Sequence, residues 1–195
     1  YLFVEQQGKL QRNEPAALNR LMEEKMKRIS NALSDFSVEV STSPVTPQGA
    51  RDVAVSEKRG KPGYRIGQKI VVSFRASRDC YLTLLNVGTS GKLTVLFPNG
   101  LHRDNFVQGG RDYQIPSEDY GFDYELQGPP GVERIKAVAT LKKVELLESN
   151  FAPDGSVFRT VEAASGARDI RVIQKKVEAV SAADWAEAAC EFTVV

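Results

Sequence analysis

Between Tyr64 and Asn99 the side chains alternate with a period of two. Ile70, Val72 and Phe74 alternate with Val71, Ser73 and Arg75; Tyr81, Thr83 and Leu85 with Leu82 and Leu84; Leu93, Val95 and Phe97 with Thr94 and Leu96. That period puts successive residues on opposite faces of a sheet and predicts three strands in a row. Gly88, Thr89, Ser90 and Gly91 supply a reversal between the second and third, so these two form a hairpin. The third strand ends at Phe97-Pro98-Asn99-Gly100, because proline cannot donate to a ladder and Asn-Gly favours a turn.

A three- and four-residue period marks two helices. In the first, Asn13 caps, Pro15 occupies the first turn, and Leu18, Leu21, Met22, Met26, Ile29 and Leu33 form a stripe about five turns long. Arg20, Glu23, Glu24, Lys27 and Arg28 form its solvated face, with Glu23 and Lys27 spaced as an i,i+4 pair. The second runs from Ala167 to Val180 on Ile170, Ile173, Val177 and Val180. Further strands are expected at Phe36 to Val40, Asp112 to Ile115, Phe122 to Leu126, Glu133 to Leu141 and Ala188 to Val194. Trp185 anchors the core edge ahead of the last of these.

Other stretches are less defined. Tyr1 to Val4 reads as a short strand or the exit from a preceding segment, and Lys142 to Ser149 as a short helix or an extension. Ser156 to Val161 has no clear period, and Phe151 to Gly155 reads as a turn. The Pro- and Gly-rich stretch from Ser41 to Gly63 is a long connection with one short strand at Asp52 to Val55, and Leu101 to Gly110 is a loop. The fold class is mainly β with two helices, an antiparallel immunoglobulin-like sandwich or a related twisted sheet. Residues 1–195 are expected to form one domain, with a helix and strand in 1–40 and a β-rich core in 64–195. The N-terminal helix is expected to cover a sheet face or edge.

Composition narrows function without naming one. A hydrophobic fraction of 42% supports a sizeable core, and a net charge of +1 gives no global field to draw in nucleic acid or an anionic membrane. No apolar run is long enough to span a bilayer, so no direct membrane insertion is expected of this stretch. The chain opens on Tyr1 and is expected to be a fragment or a processed product. Cys80 and Cys190 lie outside any zinc or redox spacing and read as small buried hydrophobes, although a single disulfide stays open.

Catalytic parts are scarce. There is one histidine, His102, with no Gly-x-Ser-x-Gly, His-Glu-x-x-His or phosphate-cradling glycine loop. A thiol–imidazole pair of His102 with either cysteine is disfavoured, because a thiolate is disfavoured at an apolar strand position. Asp119 and Asp123 are the nearest pair of loop carboxylates. The chain is therefore expected to be no enzyme and to need no cofactor and no metal.

Tyr64, Gly67, Ile70 and Phe74, the run YLTLLNVGTSGKLTVLFPN, Ile115-Pro116, the GPPG before a strand containing KAVAT, and the closing DWAEA and EFTVV together resemble the bacterial family catalogued as domain of unknown function four-three-eight-four. The resemblance covers about Tyr64 to Leu141, with a weaker tail at the C-terminus. Cys80 departs from it, since glycine is common before the tyrosine. The resemblance implies an accessory module attached to caspase-like peptidases, serine/threonine kinases or envelope proteins, with no catalytic residues to carry over and an envelope setting favoured over a cytoplasmic one.

The function read from this is a non-catalytic, protein-binding accessory module. The alternatives are a small-ligand or glycan binder, or a hydrolase with an unrecognised site. Loops held by a rigid sheet are the usual place for recognition. The candidate is the loop after Phe97, with Asn99, His102 and Arg103 presenting donors and acceptors to a protein partner or attached domain. Asn99 has a second reading, as a strand terminator bonded to neighbouring backbone.

Overall fold

The structure is a computed structural model that describes residues 2–45, 61–147 and 155–195, with side chains in the first helix from Pro15 onward. The short strand expected at Asp52 to Val55 and most of the turn expected at Phe151 to Gly155 lie outside the described residues.

Two sheets face one another. The smaller has β1 (Val38–Pro44), β3 (Lys69–Ala76) and β7 (Asp112–Ile115) in that order, with β8 (Tyr124–Glu125) also paired to β3. The larger runs β10 (Arg159–Val161), β5 (Leu93–Phe97), β4 (Cys80–Val87), β9 (Gly131–Thr140), β11 (Trp185–Val194), β2 (Gly63–Tyr64), with β6 (Phe106–Val107) paired to β4. Among the described residues every pairing is antiparallel except β11 with β2, which is parallel, so the larger sheet is mixed within the expected mainly β, two-helix sandwich. Helices α1 (Leu2–Lys27) and α2 (Ala163–Glu178) lie on the outer face of the larger sheet, giving three layers.

Two cores follow. Ile70, Val72, Phe74 and Ala76 of β3 meet Cys80, Leu82 and Leu84 of β4, Ile135, Ala137 and Ala139 of β9, and Phe192 and Val194 of β11 between the sheets. Leu85, Val87, Leu93, Val95, Val138 and Trp185 face the other way, onto Met22 and Met26 of α1, Ile29 just past its end, and Ile170, Ile173 and Val177 of α2. Because β4 is covered on both faces, it is apolar almost throughout. Met22 and Met26 are fully buried, and each burial is worth about 1.5–3 kcal/mol.

The hairpin forms at Gly88 to Gly91, where Gly91 has φ +81° and its N–H donates to the Gly88 carbonyl at 2.8 Å. The alternation expected through Phe97 fails at its end. The β4–β5 register slips between Leu84 and Leu85, so Val95 stays under the helices while Leu96 and Phe97 both enter the inter-sheet core.

Helix α1 also departs from its expected bounds. It begins at Leu2 and carries Pro15 in its interior, since Leu2 to Glu14 is mostly Leu, Gln, Glu, Lys and Arg, all strong helix formers. It stops at Lys27 because Asn31 donates through Nδ2 to the Ala182 and Trp185 carbonyls at 2.8 and 2.6 Å, drawing the chain off the helix axis. Leu33, past the end of the helix, stands 74% exposed, and Leu21 within it stands 50% exposed on the face turned away from Met22 and Met26. Lys27 pairs with Glu24 at 2.9 Å, not with Glu23. Helix α2 starts earlier than expected, at Ala163, and Gly166 lets it approach β5: a Cβ there would sit 2.7 Å from Leu93 Cβ. Residues 142–147 form no helix, and the ambiguous stretch from Ser156 contains β10.

Candidate functional site

The loop after β5 is held by its own asparagine. Asn99 is fully buried; its Nδ2 donates to the Leu96 carbonyl at 2.8 Å and to Tyr120 Oη at 2.6 Å. Its Oδ1 accepts from the backbone N–H of Leu101 and of His102, at 3.0 and 2.9 Å. The backbone adds a bond from Asn99 N–H to the His102 carbonyl at 2.9 Å and one from Gly100 N–H to the Val157 carbonyl at 2.8 Å. A buried amide with both ends engaged orders the loop locally. Asn99 is thus placed inside the loop, whereas His102 and Arg103 are placed on its exposed side.

An aromatic row continues from the loop. The His102 ring stacks on Tyr120 at 5.3 Å between centroids and 24° between planes, with Nδ1 3.3 Å from Tyr120 Oη. Tyr120 meets Phe122 edge-on at 5.5 Å, Phe122 meets Phe158 at 5.8 Å, and Phe158 meets Tyr124 at 6.2 Å. Such edge-on contacts add about 0.5–1.5 kcal/mol each beyond area burial. Burial pushes the Tyr120 hydroxyl up in pKa, against the bond from Asn99. Leu101 and Phe122 remain 51% and 37% exposed, so the row presents an apolar edge to solvent.

Tyr124 links this row to a second polar cluster that sequence reasoning missed. Asn86 Nδ2 donates to Tyr124 Oη at 3.2 Å and to Glu133 Oε2 at 2.9 Å, and Glu133 also accepts from the backbone of Thr89. Glu133 is only 5% exposed, and burial pushes its carboxyl above the usual glutamate range. Asn86 Oδ1 is buried with no partner among the described residues. The available signal was an asparagine inside the apolar run Leu82 to Val87 and a glutamate opening the apolar strand β9. Nearby, Asn19 of α1 donates through Nδ2 to the Gly88 and Val132 carbonyls at 2.8 and 3.1 Å, clamping the hairpin turn to the helix.

The catalytic possibilities can be placed as well. Cys80 and Cys190 are both free thiols, pushed up to about 12 and about 11 by burial. That disfavours the thiolate a nucleophile requires. Asp123, half of the loop carboxylate pair, is bound to Lys69 at 2.6 Å. Lys136, almost fully buried on the helix-facing side of β9, pairs with Glu187 at 2.5 Å, and Glu191 pairs with both Arg134 and Lys61. These carboxylates neutralise a cationic row. Among the described residues, no three His, Cys, Asp or Glu side chains gather in a way that could hold a metal ion, and no helix is long and apolar enough to cross a membrane.

Residues 63–143 match the profile of a family described as Domain of unknown function (DUF4384). That segment is similar to this family. It covers β2 through β9, including the Asn99 loop, the aromatic residues Tyr120, Phe122 and Tyr124, and the Asn86–Glu133 pair. The tail resemblance at DWAEA and EFTVV falls outside the matched range, as do α1, β1, β10, α2 and β11. No curated protein and no solved structure matches the chain.

Proposed function

We propose that the chain is a non-catalytic accessory module of a larger bacterial signalling or envelope protein, and that it binds a protein partner through Leu101, His102 and Arg103 on the loop after β5 and Phe122 beside them. The observation that carries this reading is the burial of Asn99. Its amide holds the loop from within, so the neighbouring side chains are directed outward without help from a ligand. Pre-ordered loops bind with less entropy lost on association. The test is crosslinking in the native organism with wild type and the His102→Ala, Phe122→Ala double variant. The variant is expected to stay folded with a cooperative melt, lowered by the ring contacts it gives up, and to lose its partner; recovery of the same partners would remove this surface from consideration.

A second reading, as a small-ligand or glycan binder, draws on a groove of about 470 Å³ on the outer face of the smaller sheet. Glu39, Ser41, Ser73, Arg75, Asp112 and Gln114 line it with convergent polar groups. An array of glycans probed with the wild-type chain and with Arg75→Ala checks this reading.

A further inference from the structure

The aromatic row is interleaved with carboxylates. Tyr120, Phe122 and Tyr124 recur at every second residue, and the same segment carries Glu118, Asp119, Asp123 and Glu125, all exposed. One cation from β3, Lys69, pairs with Asp123, both side chains remaining about half exposed at 50% and 48%. Four acids within residues 118–125 stand apart from a chain whose overall charge is +1. Elsewhere the molecule already places its own cations on aromatic faces, Arg111 over Tyr113 at 5.4 Å and Lys143 over Tyr81 at 6.0 Å.

We infer that the occupant of this row is a basic segment of a partner protein, an extended stretch bearing lysine or arginine. This rests on the protein-binding reading above and names its chemistry. The exposed ring of Phe122 attracts a cation and accepts the aliphatic stem of a long basic side chain, and the flanking carboxylates take the charged head. The same acids repel phosphate backbones, which sets a nucleic acid aside as the occupant.

The experiment uses the whole chain and a fluorescent peptide of alternating arginine and glycine, with an alternating glutamate and glycine peptide of equal length as control. Fluorescence anisotropy is expected to show binding of the basic peptide alone, weakening as salt is raised. Phe122→Ala should weaken it about threefold to fivefold, the range of an exposed cation–π contact. Glu118→Gln with Asp119→Asn, a purely exposed change, should weaken it by a similar factor and flatten the salt dependence. Equal binding of both peptides, no binding of the basic one, or affinity unchanged in both variants would overturn the inference. If partner capture depends on His102 and Phe122 while the basic peptide fails to bind, the inference falls and the protein-binding reading stands. If the peptide binds as expected but the His102→Ala, Phe122→Ala variant still captures every partner, the broader reading is the one that falls.

Discussion

The two ends of β5 make an instructive pair. The strand enters from the turn Gly88 to Gly91 and leaves into the loop Pro98 to Asn105, and both connections are short, polar and rich in glycine or asparagine. The first is covered. A Cβ on Gly91 would lie 2.9 Å from the Leu18 and Asn19 backbone, Asn19 bonds the Gly88 carbonyl, and Thr89 is buried. The second orders itself through Asn99 and leaves Leu101, His102 and Arg103 outside. Similar turn chemistry therefore serves opposite ends: one turn is a surface for packing a helix, the other is a self-supported display. What separates them is whether the turn's polar groups are satisfied by another element or from within.

Breaking the covered end should have the largest effect. Gly91→Ala combines a positive φ with a collision against helix backbone, and is expected to cost more than about 3 kcal/mol in denaturant unfolding. Hydrogen exchange should show α1 losing protection before β4 does. Protection of α1 unchanged from wild type would mean that the turn is not what seats the helix.

Breaking the self-supported end comes next. Asn99→Ala removes two donated and two accepted hydrogen bonds at a site with no water access, and an expected loss of about 2–3 kcal/mol follows from the unpaired Leu96 carbonyl and the Leu101 and His102 N–H groups. In this variant α1 should keep its exchange protection while residues 100–105 lose theirs. Loss of α1 protection as well would show that the two ends are coupled rather than independent.

The smallest effect sharpens the covered end and has the opposite sign. Burial raises the native pKa of Glu133, so the folded state holds its proton to higher pH than the unfolded chain does. No penalty exists below the usual glutamate range. Stability then falls as pH rises from that range to the raised native pKa, and stays lowered above it. Glu133→Gln removes the charge and offers a donor to the orphaned Asn86 Oδ1. It should gain up to about 1 kcal/mol at neutral pH and flatten that part of the stability profile. A melting temperature lower than wild type at neutral pH would show that the charged carboxylate is needed at the Thr89 turn.

Much of the fold could be read from period alone, because strands buried on one face announce themselves. β3 alternates from Ile70 to Ala76, and α2 carries Ile170, Ile173 and Val177 at helical spacing. Val95 and Phe97 lie on opposite faces despite their spacing of two, because the bulge is set by pairing with β4, not by β5's own residues. Pro15 reads as a first-turn residue, yet the helix formers before it carry α1 back to Leu2. At the site, the polarity of Asn99, His102 and Arg103 marked the loop, but it could not tell the inward asparagine from the outward pair. Tyr120, whose hydroxyl receives Asn99, lies 21 residues along the chain, and no local pattern joins the two. Glu133 and Asn86 are separated by 47 residues and meet only because β4 and β9 are neighbours.

The placement of β11 has a practical consequence. It lies between β9 and β2, paired along ten residues with β9 from Trp185 opposite Thr140 to Val194 opposite Gly131. The matched segment ends at residue 143, so excising it for expression would strip β9 of this partner. Along this ten-residue edge the N–H and C=O groups of every second residue, beside Ile135, Ala137, Val138 and Ala139, would then face solvent unpaired. Such an edge templates pairing between molecules, and the excised segment would aggregate where the chain carrying its own closing strand does not.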